Sequence, residues 1–326
     1  MSSAHSIPST QSSSTSSSPS AESNDIPTLP PPVSAIPLTL YEALALLKSS
    51  PGWIGNSTGL MRDAEWVEDG RSDSMYFRIK QGTDVGSLPV DESGNVKVSW
   101  IGVVGAKDSH ITPHADFLPH FRKLSTHKRV VRTIRPPSAA PEIDQLWNES
   151  IKGAKVMVER SRRMAEGGGE AKIGHCFLGD DGSIRTRSAL FERNGHPWEG
   201  DTPEGFRYST WKIPENVRTD FDGVRDTNFT PRVLEAYDAL DNLIHPNDVA
   251  ETLTGSLAYV TCTFERMWFK ANKAPWQVYA NLVKVQLIAP NPAPLLPVAS
   301  SSKRKASELD DDDVPDRQPK RLAGTA

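Results

Sequence analysis

The sequence predicts an α+β fold that is rich in β-strands and lies between two disordered tails. Three observations support this prediction: Ser- and Pro-rich ends, runs of β-branched and aromatic residues separated by glycine turns, and segments with helical periodicity. We expect about eight strands and about three helices. The strands should form a curled antiparallel sheet, and an OB-like small barrel is one form that such a sheet takes.

The two ends of the chain have a composition that does not support a folded core. Residues 1–38 consist largely of Ser, Thr and Pro, and residues 291–326 are rich in Pro and Ser before they become charged. Such segments bury too little apolar surface to offset the entropy lost on folding. We predict a disordered leader, which could dock a partner domain through its prolines, and a disordered tail.

Residues 39–136 are predicted to form a β-rich first half that begins with a helix. Thr39 and Glu42 fit a capping box, in which each side chain accepts a hydrogen bond from the other residue's backbone N–H. Leucines at helical spacing follow directly. The strand candidates in this half are Met75–Lys80, Val96–Val104 and Val130–Ile134.

Residues 137–290, beyond a proline-rich segment that starts at Pro136, are predicted to form the second half. Apolar residues within 143–158 recur at a spacing close to 3.6 and predict a helix with one buried face. Thr230 followed by Pro231 indicates the start of another helix, with Thr as its cap. Further strands are predicted at Ile173–Leu178, Ser183–Phe191 and Phe206–Ile213.

The last strand pair has the clearest pattern in the sequence. In Leu257–Trp268, apolar residues alternate with Tyr, Thr and Glu, as expected for a strand with one buried face. Trp276–Ile288 returns after a turn, and its alternation slips by one residue near Asn281. The slip predicts a β-bulge, which is common where a small sheet curls into a barrel.

Composition and charge exclude several classes of protein. The chain carries 37 basic and 41 acidic residues, so it lacks the overall basic excess that is common in nucleic-acid-binding proteins. Two cysteines are too few for a disulfide framework, and the Ser-rich start does not resemble a secretory signal, which together favour an intracellular compartment. No apolar run approaches the roughly 20 residues that span a bilayer, so we expect no membrane partner.

The tail carries the most specific signal in the sequence. Two basic clusters stand on either side of a spacer, as in a bipartite nuclear localisation signal. They consist of Lys303, Arg304 and Lys305, and then Lys320 and Arg321. We predict a nuclear protein that binds the nuclear import machinery. The alternative is a solvated charged segment, which the spacer's length and its run of aspartates favour.

A local concentration of basic residues lies between His120 and Arg135, a stretch that contains no acid. Cations concentrated in this way displace the counterions condensed on a polyanion and so contact phosphates. The phosphate contacts that we predict are Arg122, Lys123, Lys128, Arg129 and Arg132. The alternative is a solubilising face that pairs with acids from elsewhere in the fold.

Two tryptophans, Trp268 and Trp276, flank the lysine-containing turn of the last hairpin. Single-stranded nucleic-acid sites on small barrels combine aromatic faces, on which bases stack, with cations that hold the backbone. We predict that these two rings stack on bases. The alternative is a cross-strand pair that packs within the protein.

A metal site is a further alternative. His114 and Asp116 have the His-x-Asp spacing of a facial triad, and with a distal His175 and with Arg185 they resemble the 2-oxoglutarate-dependent dioxygenases. The resemblance implies an Fe(II) site made by the two histidines and the carboxylate, with the arginine on the cosubstrate. A jelly-roll core would need several strands in the interval, where this chain has a basic stretch, a proline-rich segment and a long helix.

No phosphate-binding loop, dinucleotide fingerprint, zinc-binding cysteine pair or nucleophile motif occurs in the sequence. The sequence therefore favours a non-enzymatic nuclear binding module without a cofactor. Nucleic acid is the expected partner, and single-stranded nucleic acid is one form that it could take. A protein-interaction or scaffold domain with an acidic partner is one alternative, and the iron oxygenase is the other.

Overall fold

The structure, a computed structural model, describes residues 39–70, 73–84, 86–118, 123–137, 141–163, 173–193, 202–225, 229–269 and 276–289. Both predicted tails, Arg122 and the residues of the predicted nuclear signal lie outside these ranges. The helices are α1 (Leu40–Ser49), α2 (Ser57–Asp63), α3 (Pro141–Arg162), α4 (Glu215–Arg225) and α5 (Val249–Leu253).

The described residues also form eleven strands. They are β1 (Ala64–Glu68), β2 (Ser74–Ile79), β3 (Val98–Val104), β4 (Lys128–Ile134), β5 (Ile173–Cys176), β6 (Ile184–Ala189), β7 (Phe191–Arg193), β8 (Phe229–Pro231), β9 (Ala236–Tyr237), β10 (Leu257–Trp268) and β11 (Trp276–Ala289).

Five of these strands close a barrel. β3, β4 and β6 are successive antiparallel neighbours, and β10 returns to lie antiparallel to β3. β11 pairs antiparallel with β10 and parallel with β6, which closes the ring. Three consecutive strands with a fourth that returns beside the first make a Greek key, and a five-stranded Greek-key barrel is the architecture of the OB-fold. The predicted β-rich α+β class with an OB-like barrel is therefore confirmed.

The remaining strands extend or flank the barrel. β1 pairs with β2, and β2 continues along the edge of β10 beyond β3. β5 and β9 pair parallel with β11 on either side of β6, while β7 and β8 form a separate small sheet. Strands from both predicted halves, 39–136 and 137–290, share the barrel, so the proline-rich segment connects β4 to α3.

The barrel interior is filled by alternate residues of its strands, because successive side chains of a strand point to opposite faces. The fully buried residues include Trp100, Ile184, Val260, Phe264 and Val278. The leucines of α1 pack against β3 and against the paired ends of β10 and β11. None of the helices in the described ranges combines the length and the apolar character that a membrane crossing requires.

Several sequence-predicted elements are confirmed. Thr39 and Glu42 form the capping box of α1, and α3 buries one face as its periodicity predicted. β10 and β11 form the predicted hairpin, in which Thr261 lies opposite Lys284 and Cys262 opposite Leu282. This register leaves Val283 as the extra residue of a β-bulge, two positions from the predicted slip.

Two predicted elements are wrong. The segment predicted as strand Phe206–Ile213 instead forms two short 3-10 turns. The helix predicted to start at Thr230 is absent, since that residue lies in β8, opposite β7. Asp238 explains the lack of a helix, because its Oδ1 accepts the backbone N–H groups of Leu240 and Asn242 at 2.8 Å each and folds the chain into a turn.

A second hydrophobic core lies outside the barrel. It is built by the loop between β3 and β4 together with the long connection between β6 and β10. α4, which was not predicted, contributes Val217, Phe221 and Val224 at helical spacing. This core packs the two connections against each other.

Candidate nucleic-acid interface

The alternation of β4 divides the predicted basic stretch between two faces of the barrel. Arg129, Val131 and Thr133 are buried, whereas Lys128 is exposed and Arg132 is partly exposed. Consecutive residues of a strand cannot share a face. Only every second residue of the stretch can therefore contact a ligand on the outside.

A groove of about 290 Å³ lies on the outer face of the barrel, between β4, β6, β10 and β11. Its polar lining consists of Lys128, Arg187, Ser188, Arg232, Glu265 and Asn281. Three cations and one carboxylate give the groove a net positive charge, although the whole chain is slightly acidic.

Arg187 is held in place from three directions. Its Nε donates to Asn281 Oδ1 and its Nη2 donates to Glu265 Oε2, both at 2.9 Å. Its guanidinium carbon lies 3.2 Å from the centroid of the Tyr279 ring, a cation–π contact. The side chain is 21% exposed, so part of it faces the groove.

Glu265 is the buried anchor of this network. Its carboxylate accepts hydrogen bonds from Ser74 and Tyr76 at 3.3 Å and from Asn281 at 2.9 Å, in addition to the bond from Arg187. A buried carboxylate needs such partners, since an unpaired charge in the interior is costly. Glu265 therefore links β2, β6 and β11 beneath the groove.

Lys128 and Arg232 form the exposed cationic rim of the groove. Neither makes an ion pair with another residue that the structure describes. Partial burial by the groove walls, together with the positive charge of Arg187, lowers the pKa of Lys128 from its ordinary value. An anion placed between these two cations would relieve their mutual repulsion.

Arg129 is a correction to the predicted phosphate contacts. It is 1% exposed and donates to the backbone carbonyls of Arg232 and Pro113, at 2.5 and 3.3 Å. Its guanidinium also lies 5.3 Å from the Trp211 ring of the second core. Burial lowers its pKa to about 9. Arg129 thus ties the second core to the barrel and cannot reach a ligand on the outer face.

Arg132 and Lys123 complete the described part of the predicted set. Arg132 forms an ion pair with Asp181 and lies 4.0 Å from Asp108, so its charge is largely compensated. Hydrogen bonds from Ser183, reinforced by Arg132, hold the pKa of Asp181 well below its usual range. Lys123 is exposed in the loop between β3 and β4.

Trp268 and Trp276 lie opposite each other at the end of the β10–β11 hairpin. Their ring centroids are 4.8 Å apart with a near edge-to-face geometry of 67°, and both side chains are partly exposed. Arg266 covers one side of Trp276, with its guanidinium carbon 3.5 Å from the ring centroid. The two rings form a cross-strand pair at the base of the loop, on the hairpin face opposite the groove.

The structure does not assemble the iron site that the resemblance implied. Asp116 lies 2.8 Å from His110 Nδ1 and accepts a hydrogen bond from Thr112, within the loop between β3 and β4. His175 lies on β5 and packs against Tyr279. Among the described residues, no three His, Cys, Asp or Glu side chains are grouped so that they could hold a metal ion.

Comparisons with known proteins gave matches among solved structures, whereas no family model and no curated protein matches the sequence. The chain is similar to the single-stranded DNA-binding protein of bacteriophage Enc34, at 13% identity over 73% of this chain and 98% of that chain, with a TM-score of 0.33. It is similar to gp2.5, a single-stranded DNA-binding protein of bacteriophage T7, at 11% identity over 64% and 98%, with a TM-score of 0.36. TM-scores of this size do not assign a function.

The predicted contacts did not include four residues of the groove: Arg187, Arg232, Glu265 and Asn281. They are far apart in the chain and meet only through the pairing of β6, β10 and β11. One feature of the sequence could have indicated this network. Glu265 is charged, whereas every other described outward-facing residue of β10 is uncharged. An acid in such a strand indicates a buried partner.

Proposed function

We propose that the protein binds single-stranded nucleic acid across the outer face of β4 and β6. The observation that carries this proposal is the cation-lined groove on that face. β4 and β6 are the second and third strands of the barrel, and in OB-folds these strands and the adjoining loops bind oligonucleotides. A curved barrel face suits a flexible single strand better than a duplex.

Lys128 and Arg232 are the proposed phosphate-binding residues, because they are exposed and make no ion pair with a described acid. Lys123, in the loop between β3 and β4, and Arg122, outside the described residues, remain candidates for further contacts. Trp268 and Trp276 lie at the base of the loop between β10 and β11, which is the second loop that OB-folds use. We keep them as proposed stacking residues.

The proposal is tested by fluorescence anisotropy with a labelled oligothymidylate at several salt concentrations. A single-stranded site loses about 0.7 in the slope of log affinity against log salt for each phosphate contact removed. The variant Lys128→Ala/Arg232→Ala should therefore reduce the slope by about 1.4. No binding by the wild-type protein at low salt would contradict the proposal.

Lys152→Ala/Lys155→Ala is the matched control, since it removes the same charge from exposed positions on α3. It should leave the slope nearly unchanged. Equal losses in the two double variants would mean that the affinity reflects total charge and not the groove. Competition by polyglutamate that is as effective as competition by unlabelled oligonucleotide would favour the acidic protein partner instead.

We further propose that the protein acts in the nucleus and that import depends on the two basic clusters of the tail. A fluorescent fusion of the full chain should accumulate in the nucleus. Substitution of Lys303, Arg304 and Lys305 by Ala should distribute it through the cell, because a bipartite signal needs both clusters. Unchanged nuclear accumulation in this variant would overturn the proposal.

A further inference from the structure

We propose that Arg187 is the base-stacking platform of the groove: a nucleobase lies flat on its guanidinium plane while Lys128 and Arg232 hold the adjacent phosphates. The inference rests on the proposed function and assigns a specific ligand group, a nucleobase, to one wall of the groove. It adds a planar cation to the tryptophans that are proposed as stacking residues.

The position of Tyr279 shows which part of Arg187 faces the groove. A distance of 3.2 Å from the guanidinium carbon to the ring centroid requires the two planes to lie face to face, because an edge-on guanidinium would hold its carbon farther away. Tyr279 is buried and does not line the groove, whereas Arg187 does. The guanidinium therefore separates the Tyr279 ring from the groove.

Hydrogen bonds fix the orientation of this plane. The bonds from Nε to Asn281 and from Nη2 to Glu265 run along the edge of the guanidinium, where its N–H groups point. Together with the ring behind, they prevent the side chain from turning its edge toward a phosphate. A stacking surface needs this rigidity, because the entropy of ordering it has already been lost before the ligand binds.

The charges around the groove also favour a base contact for Arg187 and phosphate contacts for Lys128 and Arg232. Glu265 compensates Arg187 at 2.9 Å, so this pair adds little to the attraction of a phosphate. Lys128 and Arg232 lack a described carboxylate partner and provide the attraction instead. Guanidinium planes serve as stacking surfaces for unpaired bases, and the groove of about 290 Å³ is near the small end of ligand pockets, which suits one nucleotide.

The test compares Arg187→Lys with wild type on two labelled oligonucleotides of equal length, one with thymine bases and one entirely abasic. Lysine keeps the positive charge beside Glu265 and removes only the plane. Arg187→Lys should bind the thymine oligonucleotide about 5- to 150-fold more weakly than wild type does, the range for loss of one stacked base. It should bind the abasic one as wild type does, with the same salt slope.

Lys128→Ala is the matched comparison, because it should weaken binding to both oligonucleotides by the same factor and should lower the salt slope. The platform is overturned if Arg187→Lys binds the thymine oligonucleotide as wild type does, or if it loses affinity equally for both. Failure of the wild type to bind either oligonucleotide would instead remove the proposed function.

A measurement on the wild-type protein keeps the inference testable if Arg187→Lys does not fold. An oligonucleotide that carries 2-aminopurine at single positions should lose fluorescence at one position on binding, since stacking quenches this base. Quenching at the same position by the wild type and by Trp268→Ala/Trp276→Ala, persisting at high salt as long as the complex persists, supports the platform. A complex in which no position is quenched overturns it.

Discussion

Two arginines stack on aromatic rings on opposite faces of the β10–β11 hairpin, and their surroundings differ. On the outer face, Arg187 lies over Tyr279 and bonds to Glu265 and Asn281. On the inner face, Arg266 lies over Trp276, is fully buried and contacts the sulfur of Met75 at 3.2 Å. No described carboxylate pairs with Arg266, and its Nε and Nη2 have no hydrogen-bond partner among the described residues.

The contrast shows that an arginine stacked on an aromatic ring can either contact a ligand or pack the interior. Burial without an anion lowers the pKa of Arg266 to about 10 and makes this residue a cost to the fold. The carboxylate of Glu265 removes that cost for Arg187 and leaves its plane available at a groove. Arg187, whose charge is paired with a carboxylate, is therefore suited to contact a base. Arg266, which has no described carboxylate partner, serves only to pack the interior.

Glu265→Ala should have the largest effect on stability among the tests that distinguish the Arg187–Tyr279 stack from the Arg266–Trp276 stack. Removing one partner of a buried ion pair leaves the other uncompensated, and we expect a loss of about 3–5 kcal/mol in the free energy of unfolding. Urea denaturation measures it. The double variant Glu265→Met/Arg187→Met should be closer to wild type than Glu265→Ala is, because neither charge remains.

Glu251→Ala, at an exposed acid on α5, is the control for loss of one negative charge. It should change the free energy of unfolding by less than about 0.5 kcal/mol. If Glu265→Ala costs no more than this control does, Arg187 does not depend on its carboxylate, and the contrast between the two stacks fails.

Arg266→Met tests the inner stack and should have a smaller effect of the opposite sign. Methionine fills a similar volume without a charge, so the free energy of unfolding should be unchanged or higher by up to about 2 kcal/mol. The same urea titration measures this change. A loss greater than about 2 kcal/mol would show that the cation–π contact with Trp276 outweighs the burial cost.

Trp268→Ala tests whether the hairpin end adds to binding. We expect a loss of about 1 kcal/mol in binding free energy, the low end for a stacked base, because Trp268 packs against the Trp276 ring and offers only part of its surface. Anisotropy with oligothymidylate measures the affinity. An unchanged affinity in a folded variant would mean that the tryptophans serve only as a packing pair.

The smallest effect concerns the charge of Lys128. Burial lowers its pKa in the free protein, and a bound phosphate would raise it, so binding takes up a proton as the pH approaches the ordinary lysine value. Affinity should fall by less than about fivefold between about pH 7 and about pH 10. Lys128→Arg keeps its charge in this range and should show a shallower fall; identical profiles would exclude Lys128 as a phosphate contact.

Local patterns in the sequence predicted the elements that depend on neighbouring residues. The capping box at Thr39 and the bulge beside Asn281 are properties of a few consecutive residues. The helix expected at Thr230 failed for a reason of the same kind, since the Asp238 side chain competes for backbone N–H groups that a helix would use. The pattern of Val217, Phe221 and Val224 would have revealed α4.

The groove could not be predicted in the same way, because its residues meet only after the barrel closes. Arg187 and Asn281 are separated by 94 positions in the chain. The direction of Arg129 was also ambiguous, since two adjacent valines follow it and alternation can be read in either phase. Strand pairing in the folded barrel determines both which residues form the groove and which face of β4 carries Arg129.

The parallel pairing of β11 with β6 has a consequence for how the chain is made. β11 fills the gap between β6 and β10, so the ring stays open until the last barrel strand has been synthesised. At about 5–20 residues per second, the 94 positions between Arg187 and Asn281 take roughly 5–20 seconds. During that interval the emerging chain exposes an unpaired β6 edge, to which a chaperone or a neighbouring chain could bind before β11 does.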